Sequence, residues 1–250
     1  VQTCALPIYD EQLLLIPENF TQGYSERLIN NIMFACGRQN LRDKKSKIIK
    51  MNYRFQDEFV KIVTTTTTDS EIYSLEDQST ILGIITLIVH SNKEYDSMGK
   101  TIENSYLIDV AELCRVCGLK PVGSNRALIR NSIDRLYSTN ANITSPKNSK
   151  FADFFGFSDF THEGFRFTPD NFDFRILWSR DSISELDPAS GARMPRYYRI
   201  SLHPIIFKQL LDKNIWNTFV VPTELITERC KYVIQFYFFA ARNIKKKRGV

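Results

Sequence analysis

Apolar residues between positions 106 and 137 fall into two short helical repeats separated by a turn. In the first, Val110, Leu113, Cys114 and Cys117 share one face, with Asp109 placed as a cap and Glu112 three residues later as its partner. Gly118 follows where a helix end favours positive φ, and Pro121 cannot continue a helix because it lacks an amide proton. Ser124 or Asn125 can cap the next helix by accepting from a free N–H, so the second helix is expected to start near residue 125. There Ile129, Ser132, Ile133 and Leu136 project to one side. Arg130, Asn131, Asp134 and Arg135 project away from it, and Arg126 stands at the border. Two helices joined by a glycine-containing turn, with an arginine-rich outer face on the second, read as a helix-turn-helix.

The surrounding patterns supply a scaffold. Residues 24–36 have helical spacing, and 47–55 and 58–68 read as strands rich in β-branched and aromatic residues. Ser74-Leu75-Glu76-Asp77 starts a helix through Val89 that is apolar nearly all round and hence buried. The polar stretch 139–150 reads as a mobile loop. Residues 164–169, 171–179 and 196–204 read as strands, the last two separated by a basic, glycine-containing loop that suggests the wing of a winged-helix domain. Arg193 and Arg196 then lie near the wing tip, within reach of a phosphate or the minor groove. A closing helix is expected over 204–211. Another, rich in aromatics, is expected to begin at Pro222 and to open a second module.

Charge sharpens this picture. Residues 115–150 carry a net +6, residues 36–61 a net +5 and residues 242–248 a net +5, while the whole chain is only +5, so the remainder sums to −11. Positive potential is therefore concentrated on particular segments, one of them the second helix, which points to a polyanion partner. Arg can bond O6 and N7 of guanine, and Asn can bond N6 and N7 of adenine. The candidate DNA-binding residues are Ser124, Asn125, Arg126, Arg130, Asn131 and Arg135, with Lys44, Lys45, Lys47, Lys120, Arg193 and Arg196 for phosphates. Arg126, Arg130 and Asn131 are the candidates for base edges. An ordinary solvated helix face is the alternative.

No apolar run reaches the ~18 residues needed to span a bilayer. The longest is 81–89, so a soluble protein without membrane contact is expected, located in the cytoplasm with nucleoid or plasmid. Residues 1–8, VQTCALPI, are what translation of a sequencing-library adapter yields and are set aside from fold reasoning. The chain stops within a basic stretch, KKKRGV, so truncation at both ends is expected. Cys114-x-x-Cys117 has half the spacing of a zinc site, but no second pair exists and His90, His162 and His203 are isolated. Buried free thiols, no metal and no cofactor are expected. The absence of a His-x-His pair and of a phosphate-binding Gly-rich loop argues against a nicking or nucleotide-hydrolysing enzyme, so binding without catalysis is expected.

The order SLEDQSTILGIITLIVH, YLIDVAELCRVCGL, RALIRNSIDRL, YYRISLHPIIFKQLL and VPTELITERCKYVIQFYFFAARNIKKK resembles the central part of the RctB-type replication initiators. Those proteins start replication of the secondary chromosome in vibrios and are similar in fold to the winged-helix Rep initiators of iteron plasmids. The resemblance implies an α+β fold, with a winged helix-turn-helix domain over 9–220 and the start of a second winged-helix module over 221–250. It implies a recognition helix over 124–135 and a wing over 178–199. It further implies binding to repeated double-stranded origin sites, a homodimer that represses its own promoter, and chaperone remodelling to monomers. A winged-helix transcriptional regulator unconnected with replication is the alternative function, and a DNA-nicking initiator a more distant one.

Overall fold

The stretch that opens the central helix is a capping box. Ser74 accepts from the backbone N–H of Glu76 at 3.1 Å, and the Asp77 carboxylate accepts from the backbone N–H of Ser74 at 2.8 Å. A short 3-10 turn over Leu75–Asp77 then runs into a helix that continues to Ser97, beyond the expected end at Val89. Thirteen of its residues are buried, among them every position from Ile81 to Val89.

The computed structural model describes residues 12–14, 22–26, 48–55, 58–67, 70–144, 161–162, 165–166, 171–186, 191–211, 218–228, 233–234, 236–237 and 240. In chain order the strands and helices are β1 (Gln12–Leu14), β2 (Gln22–Glu26), β3 (Ile48–Phe55), β4 (Glu58–Thr65), α1 (Gln78–Ser97), β5 (Tyr106–Asp109), α2 (Val110–Val116) and α3 (Gly123–Ser138). There follow β6 (Asn140–Thr144), β7 (Thr161–His162), β8 (Phe165–Arg166), β9 (Asn171–Phe174), β10 (Leu177–Leu186), β11 (Arg193–Leu202), α4 (Pro204–Leu211), β12 (Thr218–Pro222) and α5 (Glu224–Thr227). The fold is mixed α/β. One four-stranded sheet has the order β1-β5-β11-β10, with β1 parallel to β5 and the other pairs antiparallel. A second, β3-β4-β6-β9, is antiparallel throughout, and β2 pairs with β12. From Gln78 to Asn92 helix α1 is buried nearly all round because β1 and β2, the helices α2 and α3, and α5 all pack on it, while Lys93, Glu94, Asp96 and Ser97 at its end are exposed. Among the described residues no helix is long and apolar enough to cross a membrane.

Several expectations change here. Residues 24–26, read as the start of a helix, belong to β2, because a ladder to β12 almost two hundred residues away overrides local spacing; residues 27–36 lie outside the described residues. The supposed loop at 139–150 begins as a strand, β6, whose Ala141 and Ile143 face the core while Asn140 and Asn142 both donate to Asp173 on β9. The hairpin strands run far into the stretch read as a loop, leaving only 187–192 to join β10 to β11. Pro222 ends β12 instead of beginning a helix, which starts at Glu224 and gives way to extended backbone at Glu228. Val221, Leu225, Ile226 and Ile234 pack into the same core as α1, so residues on both sides of position 220 share one core. Residues 1–8 lie outside the described residues.

Candidate nucleic-acid interface

Asp109 caps α2 as its sequence position implies, its Oδ1 accepting from the backbone N–H of Ala111 at 2.6 Å. Glu112 does not reach back to complete a capping box; it pairs with Arg115 one turn on. The helix closes in a Schellman motif, with Leu119 N–H donating to the Cys114 carbonyl at 2.8 Å and Gly118 N–H to the Arg115 carbonyl at 2.9 Å. Gly118 has φ of 70°, and a Cβ there would lie 2.8 Å from the Thr227 side chain, so α5 packs on this turn as closely as glycine permits. The buried residues Val110, Leu113, Cys114, Val116 and Cys117 hold α2 against the core, and Cys114 and Cys117 are free thiols. Burial raises the Cys114 pKa, against the opposing pull of the Arg126 and Arg130 charges.

Helix α3 starts two residues earlier than expected and its N-cap is Val122, with no side-chain cap. Neither Ser124 nor Asn125 takes that role. The Asn125 amide instead donates to the Lys120 carbonyl at 2.9 Å and staples the turn, while Ser124 is exposed. The four positions expected on the inner side, Ile129, Ser132, Ile133 and Leu136, are the buried ones. Opposite them Ala127, Leu128 and Asn131 are exposed, and Arg126 and Arg130 are half-buried.

The outward reading fails for the last turn of the helix. Arg135 turns toward Asp77, its Nε donating to both carboxylate oxygens at 3.0 and 3.1 Å and its second terminal nitrogen to Oδ1 at 2.6 Å. Asp77 is fully buried and the Arg135 side chain is only 19% exposed, so this pair fastens α3 to the start of α1 and removes Arg135 from the outer face. Burial opposes the Arg135 charge, but the hydrogen bonds and charge of Asp77 outweigh it and hold its pKa above the ordinary arginine value. Asp134 is likewise engaged, by Arg180 of β10, whose guanidinium also lies 5.1 Å over the Tyr137 ring and 5.9 Å over that of Tyr198.

A second tether explains how the hairpin is aimed. The register of β10 against β11 shifts between Ile183 and Ser184, which leaves Arg196 as the extra residue of a β-bulge. The neighbouring Pro195 has no N–H to give the ladder, and its carbonyl accepts from Arg130 Nε at 2.8 Å. Arg130 also reaches the Met194 sulfur at 3.6 Å. Its guanidinium, expected at a base edge, thus rests on the hairpin in this structure. Arg196, expected at a phosphate, pairs with Glu185, stands 3.7 Å from Asp109 and lies 4.9 Å from the centre of the Tyr197 ring. The Glu185 hydrogen bond is the main reason its pKa is raised.

Between α2, the N-terminal half of α3 and the hairpin tip lies an open cleft of about 670 Å³. Arg115, Arg126, Arg130 and Arg196 line it together with Asp109 and Glu185. The Arg126 Nε is enclosed without a hydrogen-bond partner among the described residues. Lys120 stands exposed on the turn and Arg193 near the hairpin tip. The structure therefore brings Arg126, Arg130 and Arg196 to one cleft, leaves Lys120, Asn131 and Arg193 exposed, and withdraws Arg135. Lys44, Lys45 and Lys47 lie outside the described residues. Sequence reasoning missed Asp77, Arg180 and the Pro195 carbonyl, and no local pattern announces any of them, since their partners are 58, 46 and 65 residues away.

Compared with known proteins, the chain matches over residues 2–250 the family model described as the central region of the Vibrionales replication initiator protein RctB. No curated protein sequence matches it. Among solved structures it is similar to a selenomethionine derivative of domains 2 and 3 of RctB, at 21% identity and a TM-score of 0.58, covering 80% of this chain and 65% of that one. A further crystal structure of RctB domains 2–3 is similar at 22% identity and a TM-score of 0.56, covering 78% and 63%. The chain thus spans somewhat less than two thirds of the length of either structure, and at these identities the likeness is one of fold.

Proposed function

The chain belongs to the RctB replication-initiator family, and on that premise we propose that it is a DNA-binding module recognising repeated double-stranded sites in the origin of a plasmid or secondary chromosome. Helices α2 and α3 act as the helix-turn-helix and the β10–β11 hairpin as its wing. The observation that carries this reading is the double tether between α3 and the hairpin, Arg130 to Pro195 and Arg180 to Asp134. It holds α3 and the hairpin together, and Lys120 on the preceding turn, Arg126 and Arg193 meet no anionic partner among the described residues.

Arg126 and Asn131 are the base-edge candidates, each good bidentate contact contributing about 1–3 kcal/mol of discrimination. Lys120 and Arg193 hold phosphates and set the register. Repression of its own promoter by a dimer, with chaperone release of monomers, belongs to the same proposal and uses the same surface. The role is binding without strand cleavage.

The test is binding of the 250-residue chain to the DNA flanking its own gene, against random competitor at near-physiological salt. A ladder of shifted species on tandem repeats is the expected result. A single shifted species on one palindrome would mark a transcriptional regulator instead, and binding indifferent to sequence would overturn the proposal. Incubation of supercoiled origin plasmid with the protein and Mg²⁺ is expected to leave it unnicked.

A further inference from the structure

Helix α3 presents an uncharged stripe to solvent. Ser124, Ala127, Leu128 and Asn131 recur at the spacing of one helix face, and all four are exposed, Leu128 at 57%. The charged residues of the helix are turned aside or engaged. Arg126 and Arg130 are half-buried and line the cleft toward the hairpin, Asp134 pairs with Arg180, and Arg135 is fastened to Asp77. Packing does not account for the leucine. Ile129, Ser132, Ile133 and Leu136 form the buried face of α3, and Leu128 is not part of the core. It borders a cavity of about 280 Å³ beside Thr227 of α5, yet more than half of it stands in water.

What covers such a stripe follows from what stands at its N-terminal end. Lys120 lies exposed on the turn before α3, and the Arg126 Nε has no hydrogen-bond partner among the described residues. The helix begins without a side-chain cap, so its first N–H groups add positive partial charge at the same end. That end suits phosphates. The face that follows, apolar with one amide, suits the floor of a major groove, where thymine presents its 5-methyl group and adenine the N6 and N7 atoms that an amide can bond. We propose that Leu128, with Ala127 beside it, selects thymine by packing on its 5-methyl group. The inference rests on the DNA-binding reading of α3.

The contact discriminates in two ways. A thymine methyl and the leucine side chain leave water together, whereas cytosine brings no methyl and offers an N4 amine for which leucine has no acceptor. Covering that amine strips its water without replacing the hydrogen bond. Ala127 carries nothing beyond Cβ to hold the helix away from the bases. Leu128 and Asn131 stand about 4.5 Å apart along the helix axis, and base pairs are stacked about 3.4 Å apart. The thymine met by Leu128 and the adenine met by Asn131 therefore belong to the same or neighbouring pairs, and α3 favours a short A·T segment.

The experiment uses the 250-residue chain and a duplex that it enriches from a random pool, with each thymine replaced in turn by deoxyuridine. Uracil pairs with adenine as thymine does, so the exchange removes the 5-methyl group alone. Wild-type protein is expected to lose about fourfold in affinity at one or two thymines, the weight of one buried methyl-sized group, and nothing at the others. Leu128→Ala is expected to bind the parent duplex more weakly and to bind equally well with thymine or uracil at those positions. Because the side chain is more than half exposed and alanine is a good helix former, thermal melting should match wild type. Wild-type affinities indifferent to uracil at every position would overturn the thymine contact and leave the DNA-binding reading intact. A Leu128→Ala protein that still tells thymine from uracil would overturn the assignment to Leu128. Failure of the pool to enrich at all would overturn the DNA-binding reading as well. Loss of sedimenting mass in the variant with its uracil penalties unchanged would show Leu128 to be a self-association contact, and would also overturn the proposal.

Discussion

Arg130 on α3 donates its Nε–H to the carbonyl of Pro195 on β11 across 2.8 Å, joining the helix and the hairpin that form the candidate interface. The bulge interrupts the ladder beside Pro195, and the Pro195 carbonyl accepts from the charged guanidinium there. Arg130→Ala is therefore expected to loosen the hairpin. Amide exchange over 193–197 should accelerate, and affinity should fall for specific and random duplex alike. Arg130→Lys should not restore it, since an ammonium lacks the guanidinium's fixed fork. Exchange rates equal to wild type would show that the hairpin is held without this bond.

Arg126 and Lys120 are expected to separate the two kinds of contact. Arg126→Ala should weaken binding to an enriched site about tenfold more than binding to random duplex, as loss of a base contact does. Lys120→Ala should weaken both similarly and reduce the salt slope by about 1. Parallel titrations at several salt concentrations decide the matter. Equal losses on both DNAs for Arg126→Ala would remove it from base reading.

The Arg135–Asp77 pair predicts a stability effect without a direct DNA effect. Removing Arg135 leaves a fully buried carboxylate without its cation, which costs about 3–5 kcal/mol. Urea denaturation of Arg135→Ala should show that loss, and affinity per folded molecule should remain near wild type. A stable variant with impaired DNA binding would return Arg135 to the interface.

Glu185 pairs with Arg196, and on the proposed DNA-binding reading it withholds that guanidinium from a phosphate. Glu185→Gln is expected to raise affinity for random duplex about threefold and to steepen the salt dependence by about 1. The pair is well exposed, so thermal stability should change little. Unchanged affinity would place Arg196 outside the contact surface.

Burial raises the pKa of Cys114, of Tyr198 and, beyond the ordinary tyrosine range, of Tyr106, whose hydroxyl also bonds Asn92 at 3.0 Å. All three groups hold their protons more tightly when folded than when unfolded. Their contribution is complete below the unfolded pKa values and is lost as pH rises toward the folded ones. The urea midpoint should therefore fall between about pH 8 and about pH 11. Tyr198→Phe should make that fall shallower. An identical slope in the variant would assign the effect to other groups.

What could be read from the sequence is what is local along the chain. The cap at Asp109, the glycine at 118, the inner face of α3 and the helix beginning at Pro204 each depend on a few adjacent residues, and each stands where the pattern placed it. Helical periodicity tells which side of α3 is apolar, but near the border of that side a long polar residue can turn either way. Arg135 turns inward because a buried carboxylate 58 residues upstream awaits it, and Arg130 turns toward a carbonyl 65 residues downstream. Strands β2 and β6 were hidden for the same reason, since their partners stand on distant strands and their own composition is polar. Local chemistry thus determined where α1, α2 and α4 begin and which side of α3 is apolar. Tertiary packing alone decided which arginines remain free for a polyanion, because an ion pair or a strand ladder between distant residues exists only once the chain has folded.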